Sequence, residues 1–557
     1  MSLFRDSTAG LIVYYASGQR LLQHTEDREH SDVPQKLLDA KTSDEDTRAV
    51  DERTRTEHDP ELACPTTAPM RQRVSDEETV VGDLTDSEKG ETKKPQQLNQ
   101  ISPLNWSVAK KSFVTFDLCF LTFAVYVGSS IYSPGIDDFA QQFGTSVTVA
   151  TLGMTLFAFG YGIGPMFLSP LIEVPHIARN PPYMISLFIF VVLQVPTVLA
   201  TNVPEFLVLR FLAGFWGSAP LATPGGSIAD MFAPKTRAYA MGMWGAASVC
   251  GPVLGPLIGG FAAEALGWRW SLWPLLFLSG GTLLILTFVL PETSAHNILY
   301  RRKERLRRRT GNDRLYSVGE RTYLKLSYLQ RWPFQLMLTE PIVLSLNVYI
   351  ALIYSILYVW FESFPLVFEG VYGFSLGIEG VAYVGILVGA VVTYACYCVY
   401  AKLIMESLFE PDERGCVRMI PEDRLPPAFV GCWCIPICMF FFGWTSTASI
   451  HWIVPIIGSS FFPAGSFLLF QSVINYLPDC NPDYAASIPV AGNGLFRAMV
   501  GGAFPLFAKA MFENLQKKNG PMALPVSWGC TLLGCLSFAM GPLLHIFRRF
   551  ALHDDEM

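Results

Sequence analysis

From residue 106 onward the chain is a succession of long apolar runs divided by short polar breaks. A helix that crosses a bilayer needs about 20 mainly apolar residues. That requirement predicts spans near 113–133, 148–169, 183–201, 205–226, 238–262 and 271–290. A second set follows near 342–366, 376–400, 428–445, 452–474, 487–510 and 524–547. The sets are divided by a polar, basic stretch. Ahead of residue 106 no run is long enough to cross. "GLIVYYASG" (Gly10 to Gly18) is too short for a signal-peptide core and is expected to form a short helix lying on a membrane surface. From Thr25 to Gln97 the sequence is charged and poor in aromatics, which predicts disorder.

The pattern therefore predicts an all-α membrane protein of about twelve transmembrane helices in two six-helix bundles. Its expected parts are a disordered tail over 1–105, a first bundle over 106–294, a basic central loop over 295–340, a second bundle over 341–547 and a short tail over 548–557. Orientation follows from the Lys and Arg positions. They gather in the central loop from Arg301 to Arg331, at Lys110 and Lys111, at Lys235 and Arg237, and at Arg548 and Arg549. The opposite loops, 134–147 and 366–375, have none, so both tails and the central loop are expected in the cytosol. The halves also echo each other. "IYSPGI" and "ESFPLV" close the first span of each half, "FGTS" and "YGFS" precede the second, and the fifth is glycine-rich in both. Matching echoes of this kind suggest the parallel repeats of a secondary transporter, whose substrate site lies between the halves.

Composition agrees with this reading and removes other classes. Hydrophobic residues make up 51% and charged residues 16%, against about a quarter charged in a soluble domain. The net charge of −7 is spread over both signs and does not point to nucleic acid. The twelve cysteines fall mostly within apolar runs, and Cys432, Cys434 and Cys438 lack the paired spacing of a zinc site, so no metal is expected. No GxxxxGK followed by Ser or Thr occurs, which argues against ATP-driven transport by this chain. Neither His451 nor His545, the histidines nearest the spans, has a catalytic partner in sequence, so no enzyme, catalytic residue or cofactor is expected.

The chemistry-bearing candidates lie inside the spans. Gly251, Gly255 and Gly259 recur every four residues, with Pro252, Pro256 and Gly260 among them. Glycines four apart leave a bare strip along one helix face where another helix can come close. Arg210 sits about one turn inside the fourth span, where a charge is costly unless paired or hydrated. It is either functional or reaching for the interface. Tyr354, Tyr358, Phe361 and Glu362 share one face of the seventh span at i, i+4, i+7 and i+8. An aromatic wall beside an acid suits flat apolar molecules with some positive character, and burial favours the neutral acid, as a proton carrier requires. The competing reading is an interfacial aromatic belt. Asp117 reads as a first-turn acid favoured by the helix dipole, and Arg497 and Asp230 as structural charges near span ends.

With these motifs in view, the chain resembles the fungal drug:proton antiporters of twelve spans in the major facilitator superfamily, especially the fluconazole and benomyl resistance transporters of yeasts. The resemblance is carried by "VGSSIYSPGI", "GYGIGP", "RFLAGF" with "LATPGGSIAD", "GPVLGPLIGG", "LPET", "HNILYRR" with "TGNDR", and "AGNGLFRA" with "AFPLF", from about Trp106 to Phe547. It implies that the glycine strip is the antiporter signature of exporters and that Arg210 takes part in proton coupling, for which Glu362 is the second candidate. It also implies a cytosolic gating loop between spans two and three containing Glu173 and Arg179, although Ser169 and Ala178 stand where the family has glycines. The implied activity is export of azoles, benzimidazoles or other small apolar or cationic drug-like compounds in exchange for protons, by a monomer in the plasma membrane with no nucleic-acid partner. Export of a fungal secondary metabolite, or a non-transporting nutrient sensor on the same fold, remain alternatives.

Overall fold

The computed structural model describes residues 2–17, 21–22, 102–173, 177–219, 224–310, 341–409, 421–480, 494–515 and 525–554. The charged tail from Thr25 to Gln97 and the central loop from 311 to 340 lie outside them. The described residues are almost wholly helical, apart from one isolated bridge between Ser7 and Pro291. Helix is the expected answer for an apolar chain in lipid, because it satisfies each backbone donor and acceptor within its own segment.

The first half consists of Val108–Tyr126 continued through a broken turn to Ile136–Phe143, then Val147–Glu173, Asn180–Leu199, Val203–Trp216 with Pro224–Met231, Pro234–Leu266 and Trp268–Val289. The second consists of Pro341–Phe364, Leu376–Ala382 with Val384–Tyr400, Pro426–Thr445, Ile453–Ser459 with Phe461–Cys480, Gly494–Ala503 with Pro505–Leu515, and Ser527–Asp554. These segments are called spans one to twelve below. Among the described residues, nine stretches are long and apolar enough to cross a membrane, and ten if the pair bent by 44° around Phe504 counts as one. The two predicted spans outside that count are short in their described apolar part: Val203–Trp216 has 14 residues, and span twelve is apolar over Ser527–Gly541. Span twelve continues as helix to Asp554, past the predicted end at 547.

Large apolar side chains face outward, among them Leu403 at 70% exposure and Phe277 at 67%. On a soluble protein such surface would mark an interface; around a bundle of spanning helices it is the surface that meets lipid. Prolines shape the spans in two ways. At the helix starts Pro234, Pro426 and Pro505 donate no hydrogen bond where none is needed. Pro365 opens a π-helical turn, Pro365–Glu369, that ends span seven.

The repeat read from sequence has a backbone counterpart. Gly144 of "FGTS" and Gly373 of "YGFS" both adopt left-handed φ, +62° and +69°, at the turn that leads into the second span of each half. One end of the bundle gathers Lys110, Lys111, Lys235 and the helix Ala295–Thr310, and is called the basic end below. Lys303 of that helix is buried and lies 3.5 Å from Glu304. The start of the chain docks at this end. Ser2–Asp6 and Thr8–Ala16 are short helices joined by Ser7, which caps the second. The Glu292 amide donates to the Asp6 carbonyl at 3.4 Å, and the Asp6 carboxylate is 4.0 Å from Lys110 Nζ. Tyr14 is buried while Ile12 and Tyr15 face outward, as expected for a helix that rests on a surface.

Candidate functional site

The glycine strip of span five does what its spacing predicts. A Cβ on Gly251 would come within 2.6 Å of Tyr126 Cβ, one on Gly255 would strike Ser130 Oγ, and one on Gly259 would strike the Ile131 carbonyl. All three contacts are with span one. Ser130 Oγ donates to the Pro252 carbonyl at 2.7 Å, using an acceptor that the next proline, Pro256, leaves free of its usual helical donor. Gly260 turns instead toward the other half, where a Cβ would lie 2.6 Å from the Leu376 carbonyl. Gly380 returns the approach: a Cβ there would lie 2.7 Å from Leu257 Cα. The strip therefore packs span five against span one of its own half, while its far end reaches span eight of the other.

Arg210 is fully buried, which rules out a side chain reaching for the interface. Its Nε donates to the Gly153 carbonyl and its Nη2 to the Gly128 carbonyl, both at 3.1 Å. Its guanidinium lies over the rings of Phe157 at 4.7 Å and Tyr132 at 5.6 Å, and Nη1 has no hydrogen-bond partner. Tyr132 continues into an aromatic cluster toward the end opposite the basic one, meeting Phe139 and Trp268 edge to face and Phe206 at a tilt. Among the described residues no carboxylate is paired with this arginine, and carbonyl dipoles and ring faces offset the burial of its charge.

At the basic end, the loop between spans two and three is tied down by charge. Arg179 Nη2 and Asp230 Oδ2 are 2.8 Å apart. Buried Glu292 of "LPET" accepts the amides of Arg179 at 3.3 Å, Asn180 at 3.2 Å and Ser294 at 2.8 Å. Asp230, one residue from the end of its helix as read from sequence, is thus paired with the predicted gating arginine. Ala178, where the resemblance implies a glycine, takes a left-handed φ of +72°, a conformation in which a Cβ is strained. Glu173 ends span two, and its side chain lies outside the described residues.

Between the halves lies a narrow, partly open cavity of about 50 Å³. Span one contributes Tyr126, span five Gly245, Ser248 and Val249, and span seven Ile350, Ile353, Tyr354 and Leu357. Span ten adds Phe462, Ser466 and Phe470, and span eleven adds Arg497. The apolar, aromatic lining with few polar groups is that of a small-molecule site. The halves touch on both sides of it. Toward the basic end, Tyr239 Oη donates to Glu406 Oε1 at 2.7 Å, and Gly242 lies against Tyr394 and Tyr397. Toward the other end, the Gly377 amide donates to Glu264 Oε2 at 2.7 Å.

Two of the charges read as structural occupy other settings. Arg497 is the charged residue of this lining, not a span-end charge. It is buried, its Nη2 donates to Tyr126 Oη at 2.8 Å across the two halves, and its guanidinium lies over the rings of Tyr354 at 4.8 Å and Phe470 at 5.1 Å. The signal that could have found it is the one that singled out Arg210: a full charge within a glycine-rich apolar helix. Asp117 is not a first-turn acid, because its helix starts at Val108 behind the cap Ser107; it is buried, and its Oδ2 has no hydrogen-bond partner.

The aromatic face of span seven divides. Tyr354 lines the cavity and Tyr358 packs against it with ring centroids 5.2 Å apart, but Tyr358, Phe361 and Glu362 are outside the lining. Phe361 stacks toward Tyr383, and Glu362 lies nearer the end opposite the basic one, where Lys509 and Asp137 are the charges that act on it. The predicted pairing of an acid with the aromatic wall of one site does not form, because eight residues along a helix is about 12 Å. Among the described residues the lining carries a cation and no acid, against the expectation of cationic compounds.

Comparison with known proteins places this geometry. Residues 118–505 match the family model described as Major Facilitator Superfamily. "Transporter mfs1" of Schizosaccharomyces pombe is 45% identical over 81% of this chain and 85% of its own length. The "Cycloheximide resistance protein" of Candida maltosa is 38% identical over 97% and 96%, and "Fluconazole resistance protein 1" of Saccharomyces cerevisiae is 40% identical over 81% of each chain. Among solved structures, the xylose transporter XylE of E. coli in a partially occluded inward-open conformation superposes with a TM-score of 0.54 at 16% identity, over 79% of this chain and 97% of that one, which speaks for the fold alone. The chain is a multi-pass membrane protein and belongs to the major facilitator superfamily.

Proposed function

We propose that this chain is an antiporter that exports toxic small molecules across the plasma membrane in exchange for protons, with both tails and the central loop in the cytosol. The observation that carries the reading is the cavity between the halves, aromatic and mostly apolar, with contacts between the halves on either side of it. Alternating access needs such a site at the interface of two bodies that can rock. The names of relatives at 38–40% identity, resistance to cycloheximide and to fluconazole, support small compounds of mostly apolar character as cargo. The tails over 1–105 and 548–557 and the loop over 295–340 then flank the two transport bundles.

Proton coupling needs an acid whose charge state can alternate. Arginine keeps its proton, so Arg210 serves by holding spans one, two and four together around a fixed positive charge. The proton itself falls to acids: Glu362 in the second half, and Asp117, buried with an unpartnered oxygen, in the first. The strip from Gly251 to Gly260 is the surface on which the rocking is set, and Arg179 with Asp230 closes the basic end.

Expression in a drug-sensitive yeast strain that lacks its own efflux pumps tests the proposal. The expected result is raised tolerance to cycloheximide or fluconazole, with lower cellular accumulation that is abolished by a protonophore. Wild-type accumulation of every compound in a broad toxin panel, with the protein at the cell surface, would refute export.

A further inference from the structure

The proposed site carries a positive side chain at its wall, and that side chain is incompletely used. Arg497 is the one charged residue among the described residues that line the cavity, with no carboxylate beside it. Of its guanidinium nitrogens, Nη2 is bonded to Tyr126, while the buried Nε has no hydrogen-bond partner. The rings of Tyr354 and Phe470 hold the guanidinium by its faces, at 4.8 Å and 5.1 Å. A guanidinium held by its faces keeps its edges, where the N–H groups lie, for partners in the plane.

We infer that Arg497 sets the substrate class of this cavity: molecules that present a carbonyl, an azole nitrogen or an anionic group to its edge, with cations rejected. The inference rests on the export reading for the purpose of the cavity and narrows what enters it. Three physical arguments carry it. A cation in the cavity meets an uncompensated positive charge in surroundings of low polarity, where like charges repel far more strongly than in water. An acceptor meets a buried donor that is already desolvated, and hydrogen bonds to a charged group are about twice as strong as neutral ones. The partner that Arg497 now holds, the Tyr126 hydroxyl, is a neutral acceptor that a carbonyl or an oxyanion can displace.

That last point ties recognition to movement. Tyr126 belongs to span one and Arg497 to span eleven, so their 2.8 Å bond spans the two halves. A substrate that takes the guanidinium away from Tyr126 replaces a contact between halves with a contact to itself. The cargo thereby releases one tie that holds the halves in this arrangement, and a molecule with no acceptor does not.

The test uses the purified full-length protein in lipid nanodiscs, with equilibrium binding of three probes: cycloheximide (neutral, rich in acceptors), fluorescein (anionic) and rhodamine 6G (cationic). The unmodified protein should bind the first two at least tenfold more tightly than rhodamine 6G. Arg497→Gln should weaken fluorescein more than tenfold and leave rhodamine 6G unchanged or tighter. Tyr126→Phe, which removes the competing hydroxyl, should tighten cycloheximide severalfold. Equal affinity for all three probes in the unmodified protein overturns the inference, and so does an equal loss for all three in Arg497→Gln, which would mark a structural role. Should Arg497→Gln fail to fold, unchanged or weaker cycloheximide binding by Tyr126→Phe overturns it independently. Binding is read without a gradient or a cell, so absence of efflux refutes export alone, while tight rhodamine 6G binding refutes the selectivity alone.

Discussion

A single methyl group on the glycine strip should be enough to disturb this molecule. In Gly255→Ala the new Cβ would occupy the place of Ser130 Oγ and lie 2.9 Å from the Ile131 amide nitrogen. The hydroxyl can rotate away, at the cost of its 2.7 Å bond to the Pro252 carbonyl, worth about 1 kcal/mol. The amide nitrogen belongs to the backbone and yields only if span one moves, and overpacking of this kind costs about 1–3 kcal/mol. Together these give about 2–4 kcal/mol against the packed arrangement. At 1.4 kcal/mol per tenfold, that is roughly a thirtyfold to several-hundredfold shift if one transport state bears all of it. Thermal melting in detergent and initial efflux rates at matched surface expression should both fall. Gly255→Leu should abolish efflux while the protein still reaches the membrane. Ser130→Gly alone should cost the hydroxyl's part, and adding Gly255→Ala to it should then cost only the part due to the backbone. Wild-type melting and efflux in Gly255→Ala would show that the strip is not a tightly packed interface.

Arg210→Ala should stop transport and Arg210→Lys should keep only part of it, since lysine cannot reach the Gly128 and Gly153 carbonyls at once with a planar fork; transport assays at equal expression decide, and full activity in Arg210→Lys would mean that charge alone suffices. Asp230→Asn should lower efflux about tenfold by removing the partner of Arg179, and the exchanged pair Arg179→Asp with Asp230→Arg should recover part of the loss in the same assay. Glu362→Gln, a mimic of the permanently protonated acid, should bind cargo in nanodiscs but lose pH-driven efflux; retention of both would leave Glu362 outside the mechanism.

What could be read from sequence was what is local along the chain. The apolar runs report their own length, and glycines at i, i+4 and i+8 report a bare face whatever that face meets. The same logic placed Tyr354 and Tyr358 together, because neighbouring turns of one helix stay neighbours in the fold. It failed for Glu362 through distance along the axis: a shared face is not a shared site once two turns intervene. Arg497 was misjudged for a different reason. Its partner Tyr126 is 371 positions away in another half, and periodicity carries no information about which helix lies opposite. The ion pair of Arg179 with Asp230 escaped for the same reason, although both residues were singled out separately. Asp117 was misplaced by a boundary error, because the helix begins several residues before the apolar run does, at a serine cap.

The most direct test of antiport is made with the purified chain in proteoliposomes loaded with cycloheximide at equal pH on both sides, followed by a jump that acidifies the outer medium. Antiport predicts rapid counterflow: cycloheximide leaves as protons enter, the lumen acidifies faster than in vesicles without cargo, and both fluxes are lost in Arg210→Ala. Cycloheximide release that is unaffected by the gradient, or proton entry that does not depend on cargo, would contradict it.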